Sequence, residues 1–470
     1  MPSKVRPTGP ERASVSARFV WPKRAANTTW GHVRIMADKP ARPARGSRRM
    51  LKLAGMTASL AGRYAGNKLA SAVRSEEQRK AARARLNQQA GDHLADTLGE
   101  LKGAVMKLGQ FASQVSDLLP EDIANALTRL QQQAPPMDFE LIREQLESGL
   151  GAPLDELFAA LDQQPHAAAS IGQVHRGRLH DGREVVVKVQ YPGIAASCDA
   201  DLRQLKRALR MGRLVQVDKN VLDAMFSEIR ERLHEELDYC KEADNLREFQ
   251  HYFADEDRLR LPQLIASHCS REVLTMEYLP GTPLREAPKD QRAALGRTLV
   301  DVMCRSLFEH HAIHADPNPG NFAVDADGHL LIYDFGCVKH LPKETVETYR
   351  TLITAALACD WATVDSALGA LGARVPGSAP LPDDFYAGWR PIVLKPLLAE
   401  NGFDFAQSRI HKAVMAKSPE VLKLTRQLQP PSQTVFVDRM INGHYWTLVN
   451  LGAVVDLRAA IAPWIGLQDQ

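Results

Sequence analysis

The chain has 470 residues, 44% hydrophobic and 24% charged, enough for a sizeable core and for two or three domains or one large two-lobed one. Its net charge is +3 and only 6% of it is aromatic, so no nucleic acid is expected as a partner. Six scattered cysteines (198, 240, 269, 304, 337, 359) with no C-x-x-C pair argue against a disulfide framework or a zinc site and for a cytosol-like compartment.

Residues 1–60 form a basic tail rich in Arg, Pro, Ser and Ala, with 13 Lys or Arg against Glu11 and Asp38 through Lys52. Its ordinary reading is a disordered, solvated segment, with Met36 as an alternative start. A basic arm drawn to anionic lipid and a transit peptide share the same bias. From 61 to 150 the pattern predicts a helical extension. Leu98, Leu101, Val105, Leu108, Ala112 and Val115 make one apolar face, and Lys107 and Gln110 lie three apart on a neighbouring one. Pro135-Pro136 marks a linker.

Residues 151–280 read as a small β-rich unit. A short helix is expected over 151–164. It is followed by the small-residue run Ala167, Ala168, Ala169, Ser170, Ile171, Gly172, Gln173, which lets a backbone approach a phosphate closely. Asp181-Gly182 predicts a hairpin turn before the strand Glu184 to Gln190. In that strand Val185, Val187 and Val189 share one face, and Val186 and Lys188 the other. A lysine inside an apolar strand is costly to bury unpaired. It is either an edge residue reaching solvent or a phosphate-binding lysine, as in V-A-I-K. Residues 199–250 look like two charged helices separated near Asp218, the second offering Glu236, Asp238 and Glu242 as carboxylates. Met276-Glu277-Tyr278-Leu279 ends a strand at Pro280-Gly281. There the backbone near Glu277 and Leu279 would face an adenine edge, with Met276 behind it.

Residues 281–470 read as mostly helical. A helix over 288–311 leads into His314-Ala-Asp-Pro-Asn-Pro-Gly-Asn321. An apolar hairpin turning at Asp327-Gly328 then brings the chain back to Asp334-Phe-Gly336. Asn321 and Asp334 offer the hard oxygens that Mg²⁺ takes, and Asp316 would face a hydroxyl or a water. H-x-D-x-x-x-x-N followed by D-F-G is the metal-binding half of the protein-kinase signature set. Only a short stretch separates Gly336 from the next helix, which is little room for a peptide-docking loop. No run of 18 uncharged apolar residues occurs. The nearest candidate, Tyr445 to Gly466, is interrupted by Asp456 and Arg458 and reads as a helix packed on a core.

Together these motifs resemble the UbiB/AarF group of atypical protein-kinase-like proteins, which support ubiquinone and related prenyl-lipid metabolism. The likeness spans about residues 95–340. It rests on Lys107-Leu-Gly-Gln110, the Ala-rich loop, the Lys188 strand, Glu236-Leu-Asp238 with Glu242, and His314 to Asn321 with Asp334. It implies an α+β, two-lobed kinase-like fold that binds ATP and Mg²⁺. By carry-over Lys188 pairs with Glu242 at the ATP phosphates, Asn321 and Asp334 hold the metal, and Asp316 takes the catalytic position. Lys107 and Gln110 would close the cleft against Glu236 and Asp238, suppressing protein phosphorylation and leaving a slow ATPase. Two small departures are Asn318, where His often stands, and Gly172, where part of the group has Ala. The C-terminal transmembrane pair of some bacterial members is missing, so contact with the inner membrane would be peripheral. Expected partners are prenyl-lipid intermediates and ubiquinone-pathway enzymes. A nucleotide-gated scaffold and a small-molecule phosphotransferase are the competing functions.

Overall fold

The computed structural model describes residues 137–467, apart from 170, 212–222, 224–225, 228–229, 232, 235, 317 and 430–434. The basic tail, the helical extension with Lys107 and Gln110, and Ser170 therefore lie outside the described residues.

The first helix, α1 (Phe139–Leu150), is fixed at both ends by its sequence. Asp138 accepts the Glu140 N–H at 3.1 Å, and the N–H of Gly151 returns to the Glu147 carbonyl at 2.7 Å. Ile142, Leu146 and Leu150, four residues apart, are fully buried, each contributing roughly 1.5–3 kcal/mol by burial. They lie on the stripe that packs α1 against the sheet described next. The helix expected over 151–164 is only one turn, α2 (Leu154–Leu157). Phe158 is already extended, and β1 (Ala160–Leu161) pairs with Gly177 and Arg178. Strand pairing overrides the apolar spacing that suggested a longer helix.

The next strands are β2 (Ala167–Ala168), β3 (Gly172–Arg178) and β4 (Glu184–Gln190). They precede α3 (Ile194–Met211), α4 (Tyr239–Tyr252), β5 (Leu259–Arg260) and β6 (Val273–Glu277). The sheet runs β1-β3-β4-β6 antiparallel, with β2 on β3. The expected loop over 167–173 is thus a tight hairpin, closed by the Ala169 N–H on the Gly172 carbonyl at 3.0 Å. The register sets Val174 opposite Lys188, and His175 opposite Val187. Cross-strand partners share a face. Lys188 therefore points to the side away from His175, whose ring lies 5.7 Å from Phe139 of α1. Between α3 and α4 the separation expected near Asp218 falls outside the described residues. Within them the chain breaks at Leu237-Asp238, where Asp238 accepts the Cys240 N–H at 3.1 Å and starts α4.

The second half comprises β7 (Thr282–Pro283), α5 (Arg292–Phe308), β8 (Ala312–His314), β9 (Phe322–Val324), β10 (Leu330–Ile332) and β11 (Val338–His340). Then come α6 (Lys343–Ala358), α7 (Trp361–Ala370), α8 (Asp383–Val393), β12 (Phe403–Asp404), α9 (Ile410–Leu422), α10 (Val435–Leu451), β13 (Val454–Val455) and α11 (Leu457–Ile465). The strands make the small sheet β5-β10-β9-β7 and the pairs β8–β11 and β12–β13. The predicted hairpin is present as β9–β10, with Gly328 at φ +92° supplying the left-handed turn residue. The single helix expected over Tyr445 to Gly466 is instead two. Gly452 turns the chain at φ +68°, β13 intervenes, and Asp456 caps α11 by accepting the Ala459 N–H at 2.9 Å. One apolar core runs from Ile142 to Ile465, joining the β-rich first half to the helical second.

Candidate active site

Three charged side chains from three elements meet under the first sheet. Lys188 Nζ donates to Asp334 Oδ2 at 2.6 Å and to Glu242 Oε1. The Lys188 and Glu242 side chains are 7% and 6% exposed, whereas Asp334 keeps 32% and so faces open space. Burial disfavours the lysine's charge, but the Asp334 and Glu242 carboxylates outweigh it and hold its pKa above the usual value. Burial, together with the Asp334 charge, pushes Glu242 up to about 7 despite Lys188. Asp334 is held down to about 2, because Lys188 outweighs the effect of burial.

Backbone contacts fix this triad. The Phe335 N–H donates to Glu242 Oε1 at 3.3 Å, and the Gly336 N–H to Asp334 Oδ1 at 2.9 Å. Asn245, one turn along α4 from Glu242, donates to the Phe335 carbonyl at 2.8 Å. Of the three carboxylates weighed in the sequence, geometry thus brings Glu242 to Lys188. Asp238 instead caps α4 and lies 3.7 Å from Arg271, and Glu236 is half-buried two residues before it. Their expected contact with Lys107 and Gln110 lies outside the described residues.

The loop carrying Asp316 is held from several sides. His314 Nε2 lies 2.6 Å from the Asp334 carbonyl. The Asn318 N–H and the Asn321 Nδ2 both donate to the Asp316 carbonyl, at 2.8 and 3.0 Å. That bond fixes the Asn321 amide so that its other terminal atom, the oxygen, is left for a cation. The Tyr333 N–H on the Asn321 carbonyl at 3.1 Å sets Asn321 across the hairpin from the residue before Asp334. An amide oxygen just before β9 and a carboxylate just after its partner β10 fit Mg²⁺, and each Asp334 oxygen retains a lone pair beside its present hydrogen bond.

One contact at the site had no motif in the sequence. Arg439 of α10 donates from Nη2 to Asp316 Oδ1 at 2.8 Å, across 123 residues of chain. Gln173 also differs from expectation. Its side chain sits on the α1 face, accepting the Met137 N–H and lying 3.2 Å from His175 Nε2, so only its backbone is left for a phosphate. Burial drives the His175 pKa down to about 4, keeping that ring neutral beside Gln173. Gly172 is required by packing. A Cβ there would fall on the Val189 carbonyl oxygen, 2.9 Å from its carbon and 3.1 Å from Gln190 Cα. Ala167 and Ala168 pair with Val174 and Gln173, and Ile171 is buried with its carbonyl bonded to the Tyr191 N–H at 2.9 Å. At the end of β6, the Glu277 N–H is bonded to the Gln263 carbonyl at 2.7 Å, and the Leu279 carbonyl accepts the Tyr333 hydroxyl at 3.1 Å.

Among the described residues, two further clusters combine carboxylate and His or Cys groups, Cys198-Asp199-His234 and Asp325-Asp327-His329. In each, the central carboxylate is already held. Asp199 takes Arg230 at 2.8 Å and His234 at 3.0 Å, and Asp325 takes the His329 ring and N–H, both at 2.8 Å. Both are read as structural.

A profile of the ABC1 atypical kinase-like domain matches residues 129–368, enclosing Lys188, Glu242, Asp316, Asn321 and Asp334. The chain belongs to this atypical kinase-like family. It is similar to the mitochondrial atypical kinase coq-8 of Caenorhabditis elegans, 28% identical over 79% of this chain and 50% of the relative. It is also similar to the mitochondrial atypical kinase COQ8B of Rattus norvegicus, at 29% over 79% and 71%. The chloroplastic ACTIVITY OF BC1 COMPLEX KINASE 7 of Arabidopsis thaliana is 34% identical over 56% of this chain and 38% of that protein. The chain spans between a third and a half of the length of several such relatives. Among solved structures, the Rv3197–erythromycin complex from Mycobacterium tuberculosis is similar with a TM-score of 0.56 and 27% identity, over 83% of this chain and all of that one. The UbiB-type resemblance and the kinase-like fold are thus established. No described helix is long and apolar enough to cross a membrane.

Proposed function

We propose that this protein is an ATP- and Mg²⁺-binding atypical kinase or ATPase that serves ubiquinone or related prenyl-lipid metabolism, in the cytoplasm and peripherally on the inner membrane. The observation that carries the reading is Lys188 bridging Glu242 and Asp334 under the first sheet. Asp334 there occupies an anion position that a nucleotide phosphate would share. The Ala169–Gly172 turn would lie over the phosphates, and the backbone at Glu277 and Leu279 would meet the adenine edge. Asn321 and Asp334 would hold Mg²⁺, which neutralises charge on the transferring phosphoryl group. Asp316 would orient the acceptor hydroxyl or water.

Protein phosphorylation is disfavoured by the short segment after Gly336. Only residues 337–342 precede α6, and three of them are taken up in β11, paired to β8. The test is Mg²⁺-dependent ATP turnover by the wild type and by Asp334→Asn, with melting temperatures as a folding control. Loss of turnover in a folded variant is expected; retained turnover would overturn the metal assignment. A second reading, a nucleotide-gated scaffold without useful turnover, is favoured by the Arg439–Asp316 ion pair, which occupies the acceptor-facing carboxylate. Tight ADP binding with no turnover would select it.

A further inference from the structure

The proposed nucleotide site uses one face of the first sheet. The opposite face carries a line of buried polar groups with no part in that chemistry. Gln173 and His175 of β3 are fully buried and stand opposite Val189 and Val187 of β4, on the side away from Lys188. His175 Nδ1 lies 2.9 Å from the Asp162 carbonyl, which can only accept, so Nδ1 carries the proton of the neutral ring. Nε2 is then bare and accepts from Gln173 Nε2 at 3.2 Å, and the Gln173 oxygen is left to accept the Met137 N–H. Donor and acceptor roles are thus fixed along the whole line, from Asp162 just after β1 to the residue before the α1 cap.

The two ends of this line make it more than a satisfied core. Gln173 directly follows the Ala169–Gly172 turn, which the proposed reading lays over the phosphates, and pairs with Ala168 across it. Gly172 packs its backbone directly on that of Val189 and Gln190, so the turn cannot shift without carrying Gln173 along. At the other end, Met137 immediately follows Pro135-Pro136 and is the point through which residues 61–136 join the kinase-like core.

We infer that Gln173, oriented by His175, is a positioning residue that couples nucleotide under the 169–172 turn to closure of the chain at Met137, and so to the 61–136 extension. The inference rests on the proposed nucleotide site and names the side chain that would carry its state to the extension. Phosphate contacts that order the turn also restrict the Gln173 side chain, and the Met137 hydrogen bond then opens less often. Such coupling is reciprocal: whatever holds the extension closed at Met137 tightens nucleotide binding by the same factor.

The test is amide hydrogen exchange of the full-length protein with and without ADP and Mg²⁺, read at 166–175 around the turn and at 137–142. Wild type is compared with Gln173→Met, which keeps an unbranched side chain without the amide, and with His175→Phe, which keeps a ring without its nitrogens. Melting temperatures confirm folding. In the wild type ADP should slow exchange at both segments, at Met137 by about fivefold, the factor that one hydrogen bond of ordinary strength corresponds to. Gln173→Met should keep the response at 166–175 and lose it at Met137. His175→Phe should give a smaller response at Met137, because Gln173 keeps its oxygen but loses the group that orients its amide. A merely structural role would leave exchange at Met137 indifferent to ADP in every protein. That result in the wild type, with 166–175 responding, would overturn the coupling alone, as would a Gln173→Met variant that keeps the wild-type response. No response to ADP at either segment would overturn the nucleotide site with it.

Discussion

Replacing Lys188 by Met tests the energetic centre of the site. The change keeps an unbranched side chain in the β4 position but removes the cation that Glu242 and Asp334 share. Taking one partner from a buried ion pair costs about 3–5 kcal/mol, because the remaining charge is left uncompensated. For a domain of this size that is a fall of roughly 5–15 °C in melting temperature. The loss should depend on pH in a defined direction. The folded-state pKa of Glu242, about 7, lies above its ordinary 4.5, so folding favours the protonated form. Its contribution is full below the ordinary value and fades as pH rises through 7. Asp334, held at about 2, and Lys188, held above its usual value, do not titrate between pH 5.5 and 7.5. Removing Lys188 takes away a group that lowers the Glu242 pKa, so the variant should lose most at pH 7.5 and recover towards pH 5.5. Adding Glu242→Gln to Lys188→Met should restore about 2 kcal/mol and flatten the pH dependence, as expected for groups acting as a unit. Thermal unfolding by circular dichroism at the two pH values measures all of this. A single variant that melts with the wild type at pH 7.5, or a double variant no more stable than the single, would refute the reasoning.

Two further outcomes are expected. Gly172→Ala should destabilise by about 1–3 kcal/mol, because its Cβ meets the Val189 and Gln190 backbone, which cannot move aside as a flexible side chain would; chemical denaturation reads the loss. Arg439→Ala should leave ADP affinity within about twofold, since among the described residues the hydrogen bond of its guanidinium goes to Asp316 and not to the Lys188 cluster, and should raise basal ATP turnover several-fold by freeing Asp316; steady-state turnover beside ADP titration separates the two effects.

What the sequence made legible and what it did not differ in one physical respect. Lys188, Asp316, Asn321 and Asp334 could be singled out because their chemistry depends on short spacings along one loop or strand. The β9–β10 turn could be placed because only a residue tolerant of positive φ fits at Gly328. Glu242 was one of three acids in a charged run. The choice was made by the break at Asp238, whose side chain caps α4 and sets the helix phase that turns Glu242 inward. The direction of Gln173 followed from the β3–β4 register, since a shift of one residue would exchange its face with that of Lys188. In the Tyr445 to Gly466 stretch Asp456 counted only as a charge interrupting an apolar run within one helix, whereas an Asp at that position also caps the start of a new one.

Arg439 marks the far end of this scale. A lone arginine on a helix is ordinarily a solvated residue, and nothing in the local pattern around it distinguishes this one. Its meaning comes from α10 packing against α5 and β8, which delivers a guanidinium to a carboxylate 123 residues earlier. The groups that would hold nucleotide and metal are thus encoded locally, whereas the group that holds Asp316 is encoded only through closure of the fold. A substitution that loosens α10 without touching Arg439 should therefore change Asp316 while leaving the Lys188–Glu242–Asp334 cluster as it is.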